Sequence, residues 1–155
     1  MKQELLEGGI RIPAIVRWPG RVAPGAVSEQ VMITMDWMST LLAAAGTSPD
    51  AAYPSDGEDL GQVLIGCTGA HPRKLCWRYK AGSQRAIRDG DRRCLRIAGN
   101  KFLFDVVRDS RERANLKDRE QHVFERLKRA GRLGTPRCCQ NGRDRRPITI
   151  RELPG

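Results

Sequence analysis

Lys2 stands five residues before Glu7 and just ahead of a Gly8-Gly9 turn, and an apolar run through Trp18, Pro19 and Gly20 follows at once. An ammonium so placed is a compact point charge on a flexible stem, suited to meeting an anion held above the end of a strand. Other groupings with chemical potential are thinner. The five cysteines, Cys67, Cys76, Cys94, Cys138 and Cys139, form no C-x-x-C pair, and His71 and His122 have no regular spacing to them, so no metal site of the zinc type is expected. An odd count with one vicinal pair does not make a secreted disulfide framework, and reduced thiols are the simpler account. Asp56, Asp59, Asp89 and Asp91 offer oxygens of the kind calcium takes, yet they form two pairs in separate loops, where aspartates ordinarily serve turns. Arg92-Arg93, Arg111 to Arg113 and Arg143 to Arg146 could touch phosphates, but few aromatics interleave with them and no nucleic-acid motif is present. Gly8-Gly9 is no phosphate loop, because the G-x-x-x-x-G-K-[ST] pattern is missing.

Those residues need elements to hold them. Residues 10–18, rich in Ile and Val, entered through Gly8-Gly9 and closed by Pro19-Gly20, read as a mostly buried strand. Pro13 donates no ladder hydrogen bond and belongs near its start or at an irregular point. Asp36 is expected to open a helix by capping the amides of Trp37 to Ser39, and the run through Ala45 stops at Gly46, just past the helix end. Residues 47–59 form a loop broken by Pro49, Pro54 and Asp56-Gly57, and residues 60–65 a short apolar turn or helix stopped by Gly66. From Lys74 the texture changes. Residues 75–79, 84–88, 94–97 and 102–105 are four short strand-like runs, separated by Ala81-Gly82, Asp89-Gly90-Asp91 and Gly99-Asn100, which predicts an antiparallel meander with tight hairpins. A final helix beginning within 115–119 would put Val123, Phe124 and Leu127 on one face.

The fold class that follows is α+β: a strand and helix, then a small four-stranded antiparallel sheet with a packed C-terminal helix. It divides into 1–69 (strand, helix, loop), 70–130 (sheet and helix) and 131–155, an irregular basic tail with six arginines that is expected to be disordered. At 155 residues, 39% hydrophobic and 5% aromatic, the chain can hold one domain with a modest core. The formal charge of +10, from 28 Lys and Arg against 18 Asp and Glu, favours anionic partners, although acids intersperse the bases in 105–125 as on a solvated surface. No window approaches the ~20 apolar residues that span a bilayer, and the first residues lack the apolar core of a signal peptide, so a soluble chain with no membrane partner is expected.

The phrase from Lys2 to Gly20 resembles the segment that carries the last active-site lysine of the sulfatases. The resemblance continues in order through Met35-Asp36-Trp37 leading to Leu41-Leu42-Ala-Ala-Ala-Gly46, then Asp56-Gly57-Glu58-Asp59-Leu60, Trp77-Arg78 and Arg88-Asp89-Gly90-Asp91. Phe102-Leu103-Phe104-Asp105 and Asp109-Ser-Arg111-Glu112-Arg-Ala-Asn115-Leu116 complete it, over about residues 2–129. It implies the C-terminal part of an arylsulfatase of the alkaline phosphatase superfamily, which hydrolyses sulfate esters with a formylglycine and a bound calcium. By that resemblance Lys2 is a sulfate-binding residue that offsets charge on a sulfate oxygen. It also implies that the segment at 10–18 lies in a large central sheet with the Asp36 helix packed on it, and that the later strands form a small separate sheet.

Departures from the family pattern set the expected activity. A formylglycine arises at Cys or Ser, x, Pro or Ala, x, Arg, whereas Cys76, Cys94 and Cys138 are followed by Trp-Arg-Tyr-Lys, Leu-Arg-Ile-Ala and Cys-Gln-Asn-Gly. The family's paired acidic calcium ligands, its Asp-Asn pair ahead of the lysine and its upstream histidines are absent as well. No cofactor is expected in this chain, calcium and formylglycine belonging to the intact family. The chain alone is expected to be inactive, because the groups that attack and those that neutralise the sulfate act as a unit. Its expected partner is the N-terminal part of a sulfatase, without which the strand at 10–18 would be exposed. The abrupt Arg, Cys and Gly content after Arg129 would suit a frameshifted end. A reading from a different class is a noncatalytic basic module that binds polyanions or nucleic acid.

Overall fold

In the computed structural model, which describes residues 4–80 and 83–130, the strands β1 (Lys74–Tyr79), β2 (Gln84–Asp89), β3 (Arg92–Ile97) and β4 (Asn100–Asp105) form one antiparallel sheet in the order β1-β2-β3-β4. The meander expected from the spacing is present, with strands a residue or two longer than the apolar runs. Asp89 pairs with Arg92 across a Gly90-Asp91 turn in which Gly90 has φ +59°. Ile97 pairs with Asn100 across Ala98-Gly99, both at positive φ (+48° and +84°). Two positive φ values make the mirror-image turn whose twist matches the flanking strands.

Alternation along the strands gives the sheet two apolar faces. On one, Cys76, Ile87, Cys94 and Leu103 lie under helix α4, defined below, whose Leu127 is buried among them with Val123 and Phe124 packed alongside. On the other, Ala86, Leu95, Phe104 and Val106 receive Leu5, with Leu6, Ile10 and Trp77 around it. The first described residues of the chain therefore cover one face of the sheet and the last helix covers the other.

Numbered along the chain, the helices are α1 (Glu7–Ile10), α2 (Thr34–Ala44), α3 (Gly61–Leu64) and α4 (Gln121–Ala130). The last begins a little later than expected because residues 115–120 turn instead: the Asn115 side chain accepts the Leu103 N–H at 3.0 Å and the Lys117 N–H at 3.2 Å. The largest departure from expectation is at the start. Gly8-Gly9 does not enter a strand but closes the single helical turn α1, and residues 11–18 run without strand pairing, with Ile12 and Ile15 exposed. A strand requires a neighbour to pair with, and none of the described residues pairs there.

Helix α2 also starts earlier than expected, with Ile33 in the capping position and Asp36 inside the first turn. The Asp36 carboxylate reaches back to accept the Ile33 N–H at 2.7 Å rather than forward to the amides that follow. At the other end Gly46, at φ +71°, donates to Ala43 and Thr47 donates to Leu42, the paired bonds of a Schellman stop. Gly66 (φ +79°) ends α3 the same way, with bonds from Gly66 to Val63 and from Cys67 to Gln62.

Fully buried, Asp36 joins three stretches of chain. It accepts the Glu58 N–H at 3.0 Å from the loop and two bonds from Arg73, just ahead of β1, while Arg73 also meets the Glu58 carboxylate at 2.9 Å. Gly57 is what brings the loop this close. A β-carbon there would stand 2.1 Å from the Met35 carbonyl oxygen.

Gly57→Ala should therefore cost roughly 1–3 kcal/mol as the loop is forced off the helix, read as a lower denaturant midpoint at unchanged slope. Burial pushes the Asp36 carboxyl up, but the bonds from Arg73, Ile33 and Glu58 outweigh it and hold it below its ordinary value. A carboxyl lowered in the folded state contributes stability that is complete above about pH 4 and fades as the pH falls further. The melting temperature should accordingly drop on acidification below about pH 4, and less steeply in Asp36→Asn, itself less stable at pH 7.

Candidate functional site

Position 93 lies on the same side of β3 as Leu95 and Ile97, where the alternation calls for an aliphatic side chain, and the sequence places an arginine there. Arg93 is fully buried. Desolvating a guanidinium costs several kcal/mol unless carboxylates and further hydrogen bonds surround it, and this one is surrounded. It donates to Glu7 Oε1 at 2.9 Å, to the Leu5 carbonyl at 2.9 Å and to Glu112 Oε1, leaving its Nε without a partner. Glu112 in turn accepts the Glu7 N–H on its Oε2 at 2.7 Å, and the Leu5 N–H is accepted by Gln84 Oε1 at 3.0 Å. Glu112 adopts φ +52°, a left-handed backbone that a side-chain residue enters at some cost.

Both backbone groups of Leu5, together with the amide and carboxylate of Glu7, are thus bonded to the sheet and the loop after it. The arrangement fixes residues 5–7, close behind Lys2 in the sequence. Lys2 itself lies outside the described residues, as do Cys138, Cys139 and the tail at 131–155.

The carboxylates of Glu7 and Glu112 face the buried Arg93, and Arg88, opposite Arg93 across β2 and β3, adds a second cation to the surroundings. Burial pushes the Glu112 carboxyl up, and the opposing pull of the Glu7 N–H and of Arg93 does not cancel it. Burial likewise draws the Arg93 guanidinium down, against the attraction of Glu112 and Glu7.

Other candidates read from the sequence fall elsewhere. Arg93 is interior and cannot meet a phosphate, while Arg92 is engaged by Glu120 at 2.7 Å and by Asp105. Asp59 accepts the Gly61 N–H at 2.8 Å, a turn role, and Asp89 holds Arg126 at 2.7 Å. Among the described residues no group of three or more His, Cys, Asp or Glu is placed to hold a metal, so they supply no calcium cage. Cys94 is buried, and burial pushes its thiol up to about 11, away from the thiolate a nucleophile requires. The residues that sequence reasoning missed are Gln84, Arg93 and Glu112. The strand-like run read from the sequence, 94–97, stops one residue short of Arg93, so its inward position goes unseen.

Removing the Arg93 guanidinium should hurt far more than neutralising Glu112. Arg93→Met leaves two carboxylates buried and should cost about 3–5 kcal/mol at pH 7. Glu112→Gln keeps the Arg93–Glu7 pair and should cost much less. Because the Glu112 carboxyl is raised in the folded state, its contribution is complete below the ordinary glutamate range and declines as the pH rises through its folded value; Glu112→Gln should flatten that decline in a urea series.

No family model matches the chain. It is 45% identical over 65 residues to N-acetylgalactosamine-6-sulfatase of Canis lupus familiaris, covering 42% of this chain and 12% of that one. To arylsulfatase A of Bos taurus it is 41% identical over 81 residues, 52% of this chain and 15% of that one. The chain thus spans less than a sixth of the length of these relatives. Its fold matches that of a solved protein of glycosaminoglycan metabolism in Bacteroides thetaiotaomicron, with a TM-score of 0.73 at 20% identity over 83% of this chain and 30% of that one. Several sulfatases thus match this chain at 40% identity or more over stretches of 64 to 81 residues, and the chain shares the mixed α+β architecture of the solved neighbour.

Proposed function

We propose that the chain serves as the C-terminal part of a sulfate-ester hydrolase, in which Lys2 contacts the sulfate and offsets charge on its oxygens. The observation that carries this reading is the fastening of Leu5 and Glu7 by Gln84, Arg93 and Glu112, which gives the lysine three residues upstream a fixed root. A point charge pays off in a transition state only when it is held in place beforehand. Residues 1–69 would complete the edge of a catalytic core and 70–130 would brace it. The sequence offers no formylglycine motif on Cys76, Cys94 or Cys138, so the attacking group and the calcium ligands would come from an N-terminal sulfatase part.

The reading of the chain as a polyanion-binding module without catalysis gains nothing from Arg73, Arg92, Arg93 and Arg126, all of which are committed to carboxylates.

The purified chain should not turn over methylumbelliferyl sulfate. Grafted in place of the matching segment of an arylsulfatase A, residues 2–129 should support turnover, and Lys2→Ala in the graft should lower kcat by about 100- to 1,000-fold. Turnover by the isolated chain that is lost in Lys2→Ala would contradict the first expectation, and an active graft indifferent to Lys2→Ala the second.

A further inference from the structure

Residues 12–17 are a length of chain with nothing bonded to it. Among the described residues no hydrogen bond meets their backbone, Ile12 and Ile15 are exposed, and Arg11 and Arg17 stand in solvent without an ion pair. Arg21 is exposed too, its guanidinium 5.9 Å from the centre of the Trp18 ring. Apolar side chains on an unpaired stretch of backbone are a ready template for another chain.

Carboxylates gather on another part of the molecule. Residues 31–72 hold five of the 18 Asp and Glu and none of the 28 Lys and Arg. Arg73 takes Asp36 and Glu58, while Asp50, Asp56 and Asp59 are exposed and meet no cation among the described residues. Asp50 and Asp59 each commit one oxygen to a nearby amide, of Ala52 and Gly61, both at 2.8 Å. Between these two aspartates and α2 opens a cleft of about 400 Å³, lined also by Ser39, Ala43, Pro49 and Pro54. Tyr53, next to Pro54 in the sequence, is exposed, as are Met38 and Leu41 on α2. Apolar walls with two carboxylates suit an arginine, whose aliphatic stem packs while its guanidinium pairs.

We infer that this cleft receives residues 11–21 of a second copy of the chain, with Arg17 between Asp50 and Asp59, and that the second copy's cleft receives the same segment of the first in return. The exchange closes into a two-fold dimer whose two contacts are identical. Charge selects this arrangement over a simpler one. Two copies of the segment paired antiparallel about Ala14 would set Arg11 against Arg17 twice, and like charges directly opposite repel. Within one chain no residue of the segment lines the cleft, which leaves it open to a partner's. The contact uses neither Lys2 nor the residues that fasten Leu5 and Glu7, so it goes beyond the hydrolytic reading and stands without it. In that reading an N-terminal sulfatase part and the second copy would compete for residues 11–18.

Sedimentation equilibrium of the full chain tests it. At low salt the mass should be twice the 17.4 kDa of one chain, falling toward that of one chain as salt is raised. Arg11→Glu/Arg17→Glu and Asp50→Lys/Asp59→Lys should each weaken self-association at least about tenfold, because repulsion replaces attraction. Mixed in equal amounts, the two variants should recover a dimer, since a reversed segment then meets a reversed cleft and an unchanged segment an unchanged cleft. The segment variant alters only exposed side chains outside helices and strands, and Asp50→Asn/Asp59→Asn, which keeps both turn acceptors, should also weaken the dimer, so a loss reads charge rather than folding. Lys2→Ala should dimerise as the unsubstituted chain does. The inference is overturned if the unsubstituted chain stays monomeric up to about 0.1 mM, as it would were residues 11–18 to take only an N-terminal sulfatase part. It is equally overturned if the segment variant or the asparagine pair associates as tightly as before, or if the mixture of reversed variants stays monomeric.

Discussion

Everything at the start of the chain depends on keeping one guanidinium inside the protein. Arg93 projects from near the start of β3 into an apolar layer of Leu95, Phe104 and Val106, and it is tolerable there only because Glu7 and Glu112 converge on it. Glu7 can reach it only if residues 5–7 lie against the sheet. Glu112 reaches it from a left-handed backbone, at φ +52°. Two stretches far apart in sequence are thus tied to one strand by a charge that has nowhere else to go. A buried ion pair is weak evidence for added stability but strongly penalises any arrangement that separates its members, so the network specifies position more than it deepens the folded state.

A second buried cluster applies the same physics to the other half. Asp36, Arg73 and Glu58 join helix α2, the loop through Gly57 and the approach to β1. The protonation behaviour of the two clusters differs in sign for a simple reason. Asp36 has enough donors to overcome its burial, whereas Glu112 shares one guanidinium with Glu7 and does not. Acid therefore loosens the helix-to-sheet junction before it troubles the anchored start of the chain.

Much of this was legible in the sequence where local rules decide. Gly90-Asp91 and Gly99 marked the hairpins, period-two runs marked four strands, Gly46 and Gly66 marked helix ends, and Val123, Phe124 and Leu127 marked the packed face of α4. Where a long-range partner decides, local rules misled. Residues 10–18 have the composition of a strand but no strand to pair with among the described residues, and Asp36 looked like a forward cap because its distant partners Arg73 and Glu58 cannot be seen from its neighbours. Arg92-Arg93 read as a surface pair, since nothing in a dipeptide tells which residue of an alternating strand faces inward. The candidate lysine was found through the phrase around it, while the residues that fasten that phrase, Gln84, Arg93 and Glu112, lie about 80 to 105 positions away.

The central claim is that residues 5–7 form a fixed root rather than a loose end. Hydrogen exchange of the Leu5 and Glu7 amides in the full chain at pH 7 tests it most directly, because both amides are bonded to side chains on the far side of the sequence. Exchange slowed to within about tenfold of the β3 and β4 amides, and released selectively in Arg93→Met, is the predicted result. Exchange of both at unprotected rates while β3 and β4 remain protected would contradict it.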